Sequence, residues 1–534
     1  MSTASVSRPR GFRLPASLRG WDGASRAVLL LVLAVVLVTF ADYGVTWDEP
    51  RQNRYGELAL GYYCSRGADH AVFSYFDLYL YGAAFDLLAA LVNTVSPLGV
   101  YETRHLLNAL VGIAGLAGTW RLARELAGPR VGFLALTLLT ATPDWYGHMY
   151  NNPKDIPFAA AMTWGTFVLL RLARQLPRPA PGAALGFGAL TGLAVATRVV
   201  GGLLAVYAAV VLGAWAVGRV RAAGWGPALR QIGGAALPFV PAAMLAWGVV
   251  FVFWPWVQQA PIANPLLAVR TFSHFPHNTT FLYAGELVRS TDLPWHYLPG
   301  MLLVRMPLPV LVGLALAPLA AWLRWRDRDV PWAGWGLLTL AIVVPLALVI
   351  GTGTVLYDGL RHFLFLVPLI VVAAAASLDS LWQRVPWRRV RVGLTTLAVV
   401  WLALQVGDFV RVHPNQYILY NPMAGGISGA EGRFELDFWG SSLKETTERL
   451  VEEVVAARGE AVLDRPLTVV VCGPFDSVRP YVPETWEVLD ARTARSGDLF
   501  VALSKVRCRL HGRGKILVRT EEDGAVLSIA GTLD

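Results

Sequence analysis

The run AVLLLVLAVVLVTFA at positions 27–41, followed at once by DYGVTWDEP at 42–50, decides how the rest of the chain is read. An apolar run behind Arg8, Arg10, Arg13, Arg19 and Arg26 fits a secretory signal peptide or a first membrane span. Ten further apolar segments follow, so the run reads as an uncleaved span. Composition agrees. Of 534 residues, 55% are hydrophobic and only 16% charged, against about 25% charged in soluble domains. The mean hydropathy is +0.48.

The net charge of +9 does not indicate nucleic acid. The arginines gather in short loops at 121–130, 171–178, 219–230, 324–328 and 384–391, a pattern that reports orientation. If every such loop is cytoplasmic, an even number of spans separates each from the next. Segments 131–147, 156–170, 180–197, 199–218, 233–254, 298–323, 331–351 and 362–380 satisfy this, and 392–407 leads outward. Before residue 121 lie two apolar stretches, 78–95 and 105–120. Parity allows only one of them to span. Segment 78–95 contains Asp86 and the interfacial aromatics Tyr79, Tyr81 and Phe85, so it reads as a juxtamembrane helix on the outer face.

The count is then about eleven spans in an α-helical polytopic membrane protein, with the N-terminus inside. A cytoplasmic segment occupies 1–26 and the transmembrane domain 27–407. An extracytoplasmic domain occupies 408–534, in the cell (inner or plasma) membrane setting. In that last part, 444–459 has an amphipathic helical pattern, 467–472 reads as a buried strand, and 515–530 as a hairpin turning at Asp523-Gly524. A small α/β domain is predicted. Cys472 and Cys508 share it and could pair in an oxidising compartment.

Ionisable residues at a membrane boundary are costly and tend to mark function. The predicted outer ends hold many: Asp48 and Glu49, Asp77, Arg104 and His105, Lys154 and Asp155, Arg198, Asp292 and His296, and Asp358, Arg361 and His362. Asp48 and Glu49 are adjacent, so one can face a pocket while the other bonds to the scaffold. Two ordinary solvated acids would look the same. Asp155 precedes Ile156-Pro157, a helix-start signature with Asp at the cap. Lys154 stands out among cations that are otherwise arginines. Arg104, Arg198 and Arg361 could bind a phosphate bidentately, or snorkel and pair with acids. His148, His274, His277 and His296 also fall in outer loops. His274 and His277 are spaced for a metal, but no third ligand is suggested.

Taken in order, Thr46-Trp47-Asp48-Glu49-Pro50, Tyr75-Phe76-Asp77, Arg104, the stretch 151–157, the stretch 292–297 and the stretch 357–362 resemble the polytopic GT-C glycosyltransferases. The likeness is to bacterial protein O-mannosyltransferase and aminoarabinose transferase-like proteins (glycosyltransferase family 39-like). The segment 413–440, with Asn421-Pro422 and Leu436-Asp437-Phe438-Trp439-Gly440, resembles their link to the outer domain. The resemblance covers about 20–440. One departure is clear: Leu78-Tyr79-Leu80-Tyr81 stands where the mannosyltransferases have a His-Pro-Pro run.

The resemblance implies inverting transfer from a polyprenyl-phosphate-linked sugar to a hydroxyl on a lipid, glycan or protein acceptor, within membrane lipid. It implies Asp48 as base and Glu49 as its orienting or assisting partner. Arg104, Lys154, Asp155, Arg361, His362, Asp77 and Tyr81 would form the donor-phosphate site and pocket. It names no certain cofactor, although a divalent cation is compatible with it. The competing reading is a transporter or lipid-linked sugar flippase, which would draw on Arg305 and Asp379 inside the apolar region.

Overall fold

The computed structural model describes residues 20–273, 275, 278–327, 332–494, 496–506 and 514–533. Among them, eight helices are long and apolar enough to cross a membrane: Gly20–Thr39, Val100–Ala127, Asp155–Gln175, Val199–Ala223, Trp225–Phe253, Gly334–Thr352, Arg361–Arg384 and Arg388–Arg411. Leu308–Ala315 and Ala317–Arg326 add a ninth if the pair, bent by 44°, counts as one span.

The remaining two expected spans differ from the sequence reading. Segment 131–147 breaks, because Pro143 starts a new helix, Pro143–Asn151, after Pro129–Thr140 has ended. The residue before a proline disfavours helical backbone. Segment 180–197 forms the 15-residue helix Pro181–Val195. Both are shorter than the ~20 residues that a 30 Å hydrocarbon core requires. The non-spanning reading of 78–95 agrees with the structure. Leu78–Leu80 is a short 3-10 turn, and the helix Ala84–Asn93 has only 10 residues.

Around Val100–Ala127 the helices approach closely. A Cβ on Gly112 would sit 2.5 Å from Met149 Cβ, and one on Gly115 2.4 Å from the Trp145 ring. Small residues on one helix face let a neighbour pack at short range where no hydrophobic effect drives association. This brings Pro143–Asn151 and the start of Asp155–Gln175 against the first loop. By contrast, Arg388–Arg411 fully buries none of its residues and touches the core mainly through the half-buried Trp401 and Phe409.

Outside the spans lies an antiparallel hairpin, β1 (Thr280–Tyr283) with β2 (Glu286–Arg289). The C-terminal domain is a five-stranded sheet of β3 (Thr468–Cys472), β4 (Glu487–Asp490), β5 (Leu499–Leu503), β6 (Gly514–Glu522) and β7 (Ala525–Leu533), in the order β4-β3-β5-β7-β6. β3 pairs in parallel with both β4 and β5, and β6–β7 is a hairpin. Its turn has Asp523 and Gly524 at φ 49° and 82°, the left-handed backbone that favours Asp-Gly. The helix Leu443–Arg458 buries Leu443, Leu450 and Val454 against the sheet. Cys472 is disulfide-bonded and Cys64 is free; Cys508 lies outside the described residues.

Candidate functional site

The first loop is pinned from three sides. Tyr43 stacks on Tyr150 with ring centroids 3.7 Å apart, and the Thr46 hydroxyl donates to the Asn151 carbonyl at 3.0 Å. The Trp47 N–H donates to the Trp439 carbonyl at 3.0 Å. Trp439 is fixed in turn by Asp437, which is buried and accepts from the N–H groups of Gly440, Ser441 and Ser442. The linking segment flagged in the sequence thus holds the acidic loop.

Asp48 and Glu49 then part company. Glu49 is 1% exposed; it accepts from the Thr46 N–H at 2.8 Å and Thr46 hydroxyl at 3.0 Å, and its Oε1 lies 3.0 Å from His105 Nε2. It closes the turn that begins the helix Glu49–Cys64. Asp48 stands just before that helix, and its side chain keeps 32% of its surface. Its Oδ2 accepts from Arg361 Nη1 at 3.2 Å. Burial pushes the Asp48 carboxyl up, but Arg361 and Lys154, with Arg51, more than offset this and hold it below the ordinary carboxylate value. A carboxylate kept ionised with one open side can accept a proton.

Arg361 lies between the faces of Tyr357 and Trp439, each ring centroid 4.7 Å from its guanidinium carbon, and it bonds Asp358 at 3.3 Å. His362 packs edge-on against Tyr357. Lys154 lies over the Tyr81 ring at 4.2 Å. Burial lowers its ammonium below the usual lysine value, with Asp48, Asp86 and Asp155 opposing the drop. Tyr81 is close enough to Arg198, Tyr357, Asp77 and Arg361 to feel their charges, and burial raises its phenol. Asp77 is exposed and heads the turn Leu78–Leu80.

Three sequence expectations change. Arg104 is fully buried and donates to Asp86 at 2.6 Å. That pair anchors the helix Ala84–Asn93 to Val100–Ala127 and holds the guanidinium inside the scaffold. Asp155 makes no capping hydrogen bond. Lys154 takes the cap position, and the Asp155 carboxylate pairs with Arg198 and accepts from Asn152 at 2.9 Å. His148 is not in a loop; it is fully buried in the helix Pro143–Asn151 among Tyr417, Phe438 and Trp439.

Arg305 and Asp379, on which a transport reading would draw, are each in an ion pair. Arg305 bonds both oxygens of Asp144 with the two side chains 1% exposed, and Asp379 pairs with Arg130. His274 and His277 lie outside the described residues. Among the described residues, no group of three or more His, Cys, Asp or Glu side chains is gathered to hold a metal.

Sequence reasoning passed over two partners. Lys505 Nζ, from the loop after β5, lies 3.3 Å from Asp358 Oδ1 and 3.3 Å from Glu435 Oε2. A signal was available. The chain has only four lysines, Lys154, Lys444, Lys505 and Lys515, and the rarity that singled out Lys154 applies equally to Lys505.

Residues 83–247, under a third of the chain, match the dolichyl-phosphate-mannose-protein mannosyltransferase family. No curated protein sequence matches the chain. The fold is similar to that of ArnT from Cupriavidus metallidurans bound to undecaprenyl phosphate, with a TM-score of 0.51 and 15% identity, over 97% of this chain and 98% of that one. The apo form of the same protein aligns at a TM-score of 0.49 and 14% identity, covering 95% and 98%. The oligosaccharyltransferase AglB from Archaeoglobus fulgidus, in complex with an inhibitory peptide and a dolichol-phosphate, aligns at 0.46 and 12%, covering 90% and 69%. The chain thus shares its fold, a helical membrane region with a small sheet domain attached, with the ArnT solved with undecaprenyl phosphate.

Proposed function

We propose that this chain is an inverting glycosyltransferase that moves a sugar from a polyprenyl-phosphate donor to a hydroxyl acceptor. The reaction takes place at the outer face of the cell membrane, with the N-terminus inside and the C-terminal domain outside. The reading is supported by the matched mannosyltransferase segment and by a fold shared with a protein solved with undecaprenyl phosphate. The observation that carries it is Asp48, an ionised and partly open carboxylate set beside two cations, Arg361 and Lys154.

In the reaction, the acceptor oxygen forms a bond to C1 of the sugar while Asp48 takes its proton. The bond from C1 to the phosphate oxygen breaks, and the electron pair leaves with the polyprenyl phosphate. That leaving group becomes a phosphate monoester whose second pKa is about 6, so it needs little general acid. It needs cations where the charge grows. Arg361 and Lys154 fill this role, with His362 close by; Arg104 and Arg198 drop out because Asp86 and Asp155 hold them. Tyr81 and Tyr357 wall the site, while Glu49 keeps the Asp48 turn in place. A donor phosphate that draws Arg361 toward itself also loosens the Arg361–Asp48 bond, which frees the base when donor is bound.

The test feeds purified protein labelled polyprenyl-phosphate sugars and a panel of hydroxyl acceptors, comparing wild type with Asp48→Asn. Wild-type transfer that the folded variant lacks is the expected result. Undiminished transfer by Asp48→Asn removes Asp48 as the base.

A further inference from the structure

The C-terminal domain meets the membrane region along one edge of its sheet. β3 and β5 are parallel neighbours, and the loops leaving their C-terminal ends both reach toward Asp48. Open α/β sheets commonly present ligand-handling groups at that edge. Beyond β3, the Ser477 hydroxyl donates to the Thr46 carbonyl at 3.1 Å, and the Tyr481 hydroxyl accepts from the Val45 N–H at 2.9 Å. Beyond β5 comes Lys505. Lys444, at the start of the domain's helix, donates to the Ala41 carbonyl at 2.6 Å.

From Lys505 a line of alternating charges runs into the site. Glu435 and Asp358 flank Lys505 at 3.3 Å each, Asp358 reaches Arg361 at 3.3 Å through its other oxygen, and Arg361 reaches Asp48 at 3.2 Å. Asp358 has φ 55° and is followed by Gly359 at φ 68°. Left-handed backbone is uncommon outside glycine, so contacts made by this side chain help to hold the turn. Without Lys505, Asp358 would keep Arg361 as its one ion-pair partner among the described residues and would compete for it with Asp48 and with any bound phosphate.

We propose that Lys505 is a positioning residue of the transfer site. It holds Asp358, and through Asp358 it sets how freely Arg361 can turn to a donor phosphate. The C-terminal domain then takes part in donor binding, whatever else it contacts. The inference rests on the transferase reading above.

The full-length enzyme in detergent serves for the test, with Lys505→Met, Lys505→Arg, Asp358→Asn and the double variant Lys505→Met/Asp358→Asn. Asparagine tolerates left-handed backbone, so Asp358→Asn keeps the turn. Lys505→Met should raise the donor KM about ten-fold while kcat changes about two-fold or less, as expected for a displaced binding group. Affinity for undecaprenyl phosphate alone should fall in step, and Lys505→Arg should restore much of both. The double variant should be no worse than the poorer single variant, since the two act in series. Additive effects in the double variant overturn the inference, as does Lys505→Met with unchanged KM and unchanged undecaprenyl phosphate affinity. If those outcomes appear while Asp48→Asn still abolishes transfer, the transferase reading stands and only the role of Lys505 is lost. If wild type transfers from no polyprenyl-phosphate sugar, the underlying reading fails instead.

Discussion

Two arginine–carboxylate pairs in this protein look alike on paper and differ in what they leave open. In the Arg305–Asp144 pair, Nε and Nη2 reach both carboxylate oxygens at 2.8 to 3.2 Å, both side chains are 1% exposed, and the Tyr420 ring covers the guanidinium at 4.5 Å. In the Arg361–Asp48 pair, one nitrogen reaches one oxygen at 3.2 Å, the carboxylate is 32% exposed, and Asp358 competes for the same arginine. The first pair is closed to any third party. It ties Pro143–Asn151 to Tyr297–Arg305 and, through the Tyr417 carbonyl, to the linking segment. The second is loosely held and faces outward, the arrangement a site needs if substrate is to displace one partner and use the other.

The contrast is sharpest at Asp48. Asp48→Asn removes the proton acceptor with almost no change in shape, so transfer should fall by about 10²–10⁴-fold. Yield should stay near wild type and the thermal midpoint should fall only slightly, because the partly open ion pair with Arg361 contributes little stability. Arg361→Gln comes next, with a loss of about 10²–10³-fold in kcat/KM, the usual range for removing one charge-stabilising donor. At the closed pair the signature should invert. Asp144→Asn leaves Arg305 as an uncompensated buried charge, which costs about 3–5 kcal/mol of stability. Thermal unfolding in detergent should show that loss, while transfer per folded molecule changes less than ten-fold. If Asp144→Asn instead keeps its stability and loses activity, the distinction between the two pairs is wrong.

Much of this was readable from the chain, for identifiable reasons. Apolar runs of about 20 residues have few alternatives, so eight of the expected spans appear as full-length helices. The break near 140 was also legible in principle, since Pro143 follows Ala141-Thr142, but an apolar average over 131–147 hides it. The divergence of Asp48 and Glu49 was expected from an extended loop. It arises instead because Glu49 begins a helix and folds back on Thr46. Arg104 and Arg198 illustrate what local sequence withholds. Both lie where outer cations were expected, yet Asp86 and Asp155 claim them, and only the packing reveals which cations are spent. Lys505 lies 147 residues from Asp358 in sequence. No periodicity or spacing argument connects positions so distant.

The smallest expected effect concerns pH, and its sign follows from the open pair. Burial alone would raise the Asp48 carboxyl, but Arg361 and Lys154 bring it below the ordinary carboxylate value. A base with a depressed pKa stays ionised as the medium is acidified, so the acid limb of wild-type kcat/KM assigned to Asp48 should lie below that of an ordinary carboxylate. The same depression stabilises the fold above the unfolded pKa, and this contribution is lost only as pH falls through the folded value. Arg361→Gln removes the leading cation while burial stays, so the acid limb of its residual activity should move to higher pH. The stability that this carboxylate loses on acidification should shrink as well, because its folded and unfolded pKa values move closer together. Rate profiles and thermal melts of wild type and Arg361→Gln across pH 3 to 7 read both. A limb that does not move means that the titrating group is not Asp48 held by Arg361, and the open pair would then have no part in proton transfer.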